Sequence, residues 1–326
     1  MKIKGIIGLI IGIALIMSSC ATGVSVRVMR PAELDLGHAQ SISVLPFGLT
    51  TDEATRGLSP SEIYLARFLG YANSPNRDEQ NIARRLADGI TQGLVNANFM
   101  QVVPVEQVIN YLRSPNGQPP VDVYLSGSFT QFNTIVDSVE VIRKINNVDT
   151  KVRVYFRKVE FNVDYQVVDA RTNRIIAMKS KYTSRQSNQY DSYAAVPAVI
   201  DVIQSELASM TQDILRSLQP YEVTLFLTMV ADETKDPAMA EADEMVKDGQ
   251  LQPALDKFKQ IYAATGNFAA GYNAAILTQA AGRLQEALEM MQALATATGD
   301  RRASGAAVAI QTEIDNANRV QQQTTP

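Results

Sequence analysis

The sequence predicts an α+β fold, a mixed β-sheet with flanking helices, followed by an all-α domain of helical hairpins. Three observations carry that expectation. Strand patterns follow one another across short turns between Val121 and Ser187. Helical patterns over residues 78–98 and 193–218 bracket this meander, which favours helices layered on a sheet over a doubly wound arrangement. A heptapeptide then recurs: Gly249-Gln250-Leu251-Gln252-Pro253-Ala254-Leu255 returns as Gly282-Arg283-Leu284-Gln285-Glu286-Ala287-Leu288, 33 residues later. At 326 residues the chain has room for two domains.

The chain opens on a leader. Lys2 and Lys4 precede an apolar run from Ile6 to Ile16 that is short for a bilayer span, and Met17-Ser18-Ser19 lead into Cys20. This ending resembles a bacterial lipoprotein signal, which implies cleavage before Cys20 and acylation of that residue. Met17 stands where leucine is usual, and Ser19 where glycine or alanine is. A plain N-terminal anchor with an incidental cysteine is the alternative. Ala21, in place of an aspartate after the cysteine, implies sorting to the outer membrane. The expected organisation is therefore a signal peptide over 1–19, a lipidated tether over 20–40, an α+β domain over 41–231, helical repeats with a capping helix over 232–320, and a disordered tail over 321–326.

Val24, Val26 and Val28 alternate with Ser25 and Arg27 as in an edge strand, and residues 41–47 read as a strand stopped by Pro46 and Gly48. Ser59-Pro60-Ser61-Glu62 is a capping pattern for a short helix over 62–71. Ile82, Leu86, Ile90 and Leu94 recur every fourth residue and make an amphipathic helix of 78–98. Residues 99–103 read as a strand, Pro104 opens a helix, and the stretch 114–120 is a turn. Strands follow over 121–132, 135–142, 151–169 and 175–187, with a reversal at Asn146-Asn147 and with Gly127 marking close backbone approach. In the third of these, Val152, Val154 and Phe156 share one side, whereas Val159, Phe161, Val163, Tyr165 and Val167 share the other. That slip predicts a β-bulge near Arg157-Lys158. A helix over 193–218 and a strand over 221–230 close the domain.

Pro46-Phe47, Asp122 with Gly127, and Val168-Asp169-Ala170-Arg171-Thr172 together resemble the core of the curli-secretion (CsgG-like) lipoprotein family. Related domains occur in activator lipoproteins of penicillin-binding proteins and in the Tol-system propeller protein. The resemblance spans about residues 29–230 and implies an envelope role; none of its matched pieces is catalytic. Asn173 stands where glycine is commoner, and a charged hairpin occupies 137–158 where the curli channel subunit forms membrane strands. The Gly-x-Leu-x-x-Ala-Leu repeat resembles the tetratricopeptide repeat, in which glycine turns between helices and alanine lets them approach. Helix pairs are expected at 237–247 with 251–264 and at 268–281 with 285–296, capped by 301–320. That resemblance implies for Asn273 the position from which some family members hold a peptide backbone or carboxylate, with Tyr272 and Ile276 beside it as a candidate peptide-binding groove; helix packing with a surface asparagine is the alternative.

Composition narrows the chemistry. Removing Lys2 and Lys4 with the leader leaves 28 basic against 34 acidic residues, an acidic balance that argues against nucleic acid and against electrostatic adhesion to anionic lipid. Cys20 is the only cysteine and His38 the only histidine, so neither a disulfide nor a histidine metal cluster is expected. Glu33 with Asp35, and Asp52 with Glu53, are close carboxylate pairs that read as loop charge rather than as an acid–base couple in a shielded cleft. No catalytic residue, cofactor or metal is expected. The expected function is a non-enzymatic envelope lipoprotein, held at the outer membrane facing the periplasm, that docks envelope or periplasmic proteins, with a homo-oligomer allowed. The alternative is a subunit of an oligomeric secretion channel whose 137–158 hairpin inserts into the membrane, although Arg143, Lys144, Asn146 and Asn147 interrupt its apolar row.

Overall fold

A computed structural model describes residues 22–37, 39–50, 62–63, 76–114 and 117–324. The leader, Cys20, His38, Asp52 with Glu53, and most of the helix expected over 62–71 lie outside these. The chain divides into two compact units, one of Met29–Tyr221 with Ala317–Pro326 and the other of Met1–Val28 with Glu222–Asn316.

The first unit holds a five-stranded sheet in the order β3-β2-β4-β5-β6, from β2 (Ser41–Val44), β3 (Gln101–Val102), β4 (Val123–Ile145), β5 (Val148–Asp169) and β6 (Ile175–Gln186). β2 runs parallel to both its neighbours, while β4, β5 and β6 form an antiparallel meander. Two helices cover one face, α1 (Arg77–Ala97) and α3 (Val199–Leu218). Their apolar stripes, Ile82, Leu86, Ile90 and Leu94 with Ile203, Leu207 and Ile214, are buried with Val159, Phe161, Val163, Tyr165 and Val167 of β5. α2 (Val105–Arg113) buries Val108 and Ile109 with Tyr124 and Val168 on the other face. The α+β expectation holds, and Gly127 explains itself: a Cβ there would lie 2.4 Å from the Phe47 ring and 2.8 Å from the Asp164 carbonyl oxygen.

Several elements differ from their expected form for identifiable reasons. The helix expected over 193–218 starts at Val199, after a 3₁₀ turn (Tyr193–Ala195), because Val196 precedes Pro197 and is extended. The stretch 135–142 continues the strand before it rather than pairing with it, so that β4 runs unbroken over Val123–Ile145. The bulge lies not at Arg157-Lys158 but on β4, where Thr130 falls between the Phe129–Val163 and Gln131–Asn162 pairs. The last helix, over Arg301–Thr324, runs through Thr324 rather than fraying at residue 321, and Gln323 clamps the Ala32 backbone (Ala32 N to Oε1 2.8 Å).

The second unit contains five helices, α4 (Pro237–Lys247), α5 (Leu251–Thr265), α6 (Phe268–Ala280), α7 (Leu284–Thr298) and α8 (Arg301–Thr324, its N-terminal part). Gly249 and Gly282 turn their hairpins with φ of +76° and +78°, a left-handed conformation glycine adopts without a Cβ clash. The same backbone bonds close both turns: Gln250 N donates to Met245 O as Arg283 N does to Thr278 O. The 33-residue sequence repeat is thus a structural repeat. A two-stranded sheet of β1 (Gly23–Arg30) and β7 (Tyr221–Thr228) also belongs here. Val24 and Leu227 are buried with Met239, Ala254, Phe258 and Ala274. Residues 24–30 read as an edge strand and 221–230 as the strand that closes the α+β domain, but they pair with each other instead; their alternating pattern fixes which side is apolar but not which core receives it.

Candidate functional site

The strands β4 and β5 outrun the rest of the sheet. β6 pairs with β5 only as far as Lys158–Gln186, so residues 136–145 and 148–157 continue as a two-stranded ribbon, about 33 Å long at ~3.3 Å per residue. Asn146 and Asn147 turn it back with φ of +51° and +62°, a two-residue hairpin whose paired left-handed residues match strand twist. Its root is braced on the open edge of β5. Tyr155 and Tyr190 exchange backbone hydrogen bonds of 2.8 Å each. The Arg157 guanidinium donates to the Pro197 carbonyl at 2.8 Å, and Tyr193 meets Tyr155 edge-on at 6.2 Å.

Directly paired residues of an antiparallel ladder share a face. In the body of the sheet, the face carrying Phe129–Val163 and Phe132–Phe161 lies under α1 and α3. The opposite face there is polar, with Asn133–Glu160 and Gln131–Asn162. Past Thr134–Val159 the two faces exchange character. The face away from the helices now carries Val139–Val154, Val141–Val152 and Ile145–Val148, with Ile135 and Phe156 at its start. The helix-side face carries Glu140–Arg153 and Lys144–Asp149, with Ile142–Lys151 between them. Val154 is fully buried, but Ile135, Val139, Ile145 and Val148 are 53, 42, 47 and 63% exposed. This inverted apolar row is the candidate docking surface. Asp137 shares this face between Ile135 and Val139, and the Arg143–Thr150 pair separates Val141–Val152 from Ile145–Val148.

The motif residues of the first unit serve the backbone. Asp122 Oδ2 accepts from Gln40 N, Ser41 N and the Ser41 hydroxyl at 3.0, 2.9 and 2.7 Å, tying the starts of β2 and β4 together. Burial raises its carboxyl, but these bonds outweigh that and hold it below the ordinary value. Asp169 Oδ1 accepts from the Thr172 N–H (2.7 Å), the Thr172 hydroxyl (2.8 Å) and the Arg171 N–H (3.0 Å), closing the β5–β6 turn. The Thr172 amide is the main reason that carboxyl is depressed. Asn173 fills the position where glycine is commoner with φ of +55°, and its side chain accepts from the Tyr124 hydroxyl at 2.7 Å. Both aspartates line a hollow of about 400 Å³ with Leu36, Pro119 and Arg171. A second hollow, of about 520 Å³, lies between α1 and Val102–Val105 and is mostly apolar, with Arg84 and Asp88 at its side. Glu33 and Asp35 have separate partners: Glu33 is bonded to Lys179, which lowers its carboxyl, and Asp35 accepts from Gly37 N at 2.9 Å.

In the helical unit, Asn273 has no exposure, Ile276 is 5% exposed and Tyr272 is half-buried. Asn273 does grip a peptide, but one from this chain: Oδ1 accepts from Val230 N at 2.8 Å and Nδ2 donates to Val230 O at 3.0 Å. The segment after β7 is then pinned again, where Asn267 Nδ2 donates to Asp232 at 2.9 Å. Burial raises the Asp232 carboxyl, but bonds from Asn267, Thr234 and the Asp236 N–H overcome this and bring it down to about 2. Sequence reasoning found Asn273 by its place in the repeat and missed its occupant, since nothing local in Met229-Val230 announces a helix-bound strand.

Among the described residues no helix is long and apolar enough to cross a membrane, and no group of three His, Cys, Asp or Glu side chains is placed to hold a metal ion. No family model and no curated protein matches the chain. Among solved structures it is similar to the PelC dodecamer from Paraburkholderia phytofirmans, at 12% identity over 60% of this chain and 98% of that one, with a TM-score of 0.28. It is also similar to lipoprotein GNA1162 from Neisseria meningitidis, at 11% identity over 55% and 96%, TM-score 0.26. A minor lipoprotein from Acinetobacter baumannii matches at 9% identity over 55% and 82%, TM-score 0.19. These likenesses are distant.

Proposed function

We propose that this chain is a non-enzymatic bacterial envelope lipoprotein, fastened to the outer membrane by acyl chains on Cys20, and that it docks other envelope proteins through the ribbon. The observation that carries the reading is the inverted apolar row: the ribbon presents exposed Val139, Ile145 and Val148, with half-buried Val141, on the face opposite to the α1–α3 layer. Exposed apolar surface of this kind marks an interaction site in an extracytoplasmic protein. Anchoring confines both partners to a thin layer and raises their effective concentration, so a contact of modest affinity suffices. The helical repeats brace the β1–β7 sheet, because both amide atoms of Asn273 are engaged by Val230. A photo-crosslinking residue at Val139 or Val141 should capture a specific neighbour in intact cells, whereas one at Glu140, on the other face, should not. Equal capture from both faces would remove the ribbon as the docking element.

A second reading is favoured by strand length. Ten residues per strand meet the requirement of about 9–11 for crossing a bilayer, which suits a subunit of an oligomeric channel. Detergent-extracted protein that remains a monomer and passes no ions across planar bilayers would end it.

A further inference from the structure

We infer that the β1–β7 end of the helical unit rests on the bilayer surface, at the level of the lipid headgroups. The inference rests on acylation of Cys20 as proposed above. The chain is fixed to the unit from Thr22 onward, where the Thr22 carbonyl accepts from Met229 N at 2.9 Å. Only Ala21 lies between Cys20 and Thr22, and the two residue steps reach about 7 Å when fully extended. An anchor on so short a leash leaves the unit no room to stand off the membrane.

The surface at this end suits such a place. The ring of Phe226 lies against Gly23, so close that a Cβ there would be 2.5 Å from it, yet Phe226 is 55% exposed. An exposed aromatic beside a lipidated terminus is chemically matched to the boundary between headgroup and hydrocarbon. β1 and β7 run in opposite directions, with Thr22 beside Met229 at one end and Arg27 facing Glu222 at 3.9 Å at the other. The charged pair thus lies about 20 Å along the strands from the anchored end.

The test uses full-length acylated protein in vesicles, with an environment-sensitive dye on a single added cysteine, T228C or E222C, and a quencher carried on lipid headgroups. Both positions are exposed. The expected result is flotation with the vesicles and quenching at 228 roughly twofold or more above that at 222, given the strand spacing. Flotation with equal or no quenching at the two sites would overturn the inference and leave the acyl anchor standing. Failure to float would remove the anchor, and the inference with it. A flexible Gly-Ser insert of about twelve residues before Thr22, spanning about 19 Å, should abolish the difference; a difference that survives the insert also overturns the inference.

Discussion

From Val123 to Phe132, β4 lies under α1 and α3, and from Val136 to Ile145 it runs beside β5 alone. In the covered half, Phe129 and Phe161 point at the helices with ring centroids 5.6 Å apart, and the far side is a polar lattice in which Asn162 donates to Thr130 at 2.7 Å. In the uncovered half the polar side is the one continuous with the helix face, and the apolar side looks away. The same ladder therefore serves two environments. What differs is not the pairing, which is unbroken from Gln131–Asn162 to Ile145–Val148, but which side of it has something to bury against. A sheet that switches its apolar face where its helices stop has two separate apolar surfaces, one internal and one offered outward.

Substitutions that treat the two halves alike should expose this difference. Phe161→Ala in the covered half empties a fully buried ring site and should cost about 3–5 kcal/mol, read as a lowered chemical-denaturation midpoint with unchanged slope. Replacing Asn146 or Asn147 with alanine forces a Cβ-bearing residue without a compensating side chain into left-handed geometry. Each should cost about 1 kcal/mol, confined to the ribbon and seen as faster amide exchange over 136–157. Val141→Asp should shift global stability by no more than about 0.5 kcal/mol while abolishing capture of a partner at the ribbon. A large loss of stability there would show that the row is core rather than docking surface.

The smallest contrast is one of pH. Asp122, at the root of the covered half, has a carboxyl depressed in the folded state, so its contribution is complete above the ordinary aspartate value of 3.8 and is lost as pH falls through the depressed one. Asp122→Asn should therefore flatten the fall in melting temperature below about pH 4, while amide exchange in the ribbon keeps its dependence.

Much of this was legible in the residues. The four-residue spacing in α1, the glycines of the repeated hairpins and the Asn146-Asn147 reversal each answer to a local rule of backbone geometry. The face exchange was legible in β5 and invisible in β4. In β5 the apolar parity changes once, between Phe156 and Val159, and reads as a bulge although no register breaks there. In β4 two changes cancel: the extra residue Thr130 moves the apolar parity from Phe129 to Phe132, and the face exchange moves it back at Ile135. The apolar residues therefore sit at odd positions both before and after the exchange, Val123, Leu125 and Phe129 as well as Ile135, Val139, Val141 and Ile145, and only the partner strand reveals what happens between them. The destination of β1 was likewise hidden, because alternation in Val24 and Val26 names a buried side without naming the core that receives it.

The pairing of β1 with β7 also orders events in time. β1 precedes every other described element in the chain, but its partner comes only after the sheet of the first unit, and its apolar bed only with the helices beyond. Closing so long a loop is slow compared with assembling either local hairpin. During synthesis β1 must therefore wait, unpaired, until the last third of the polypeptide arrives to receive it.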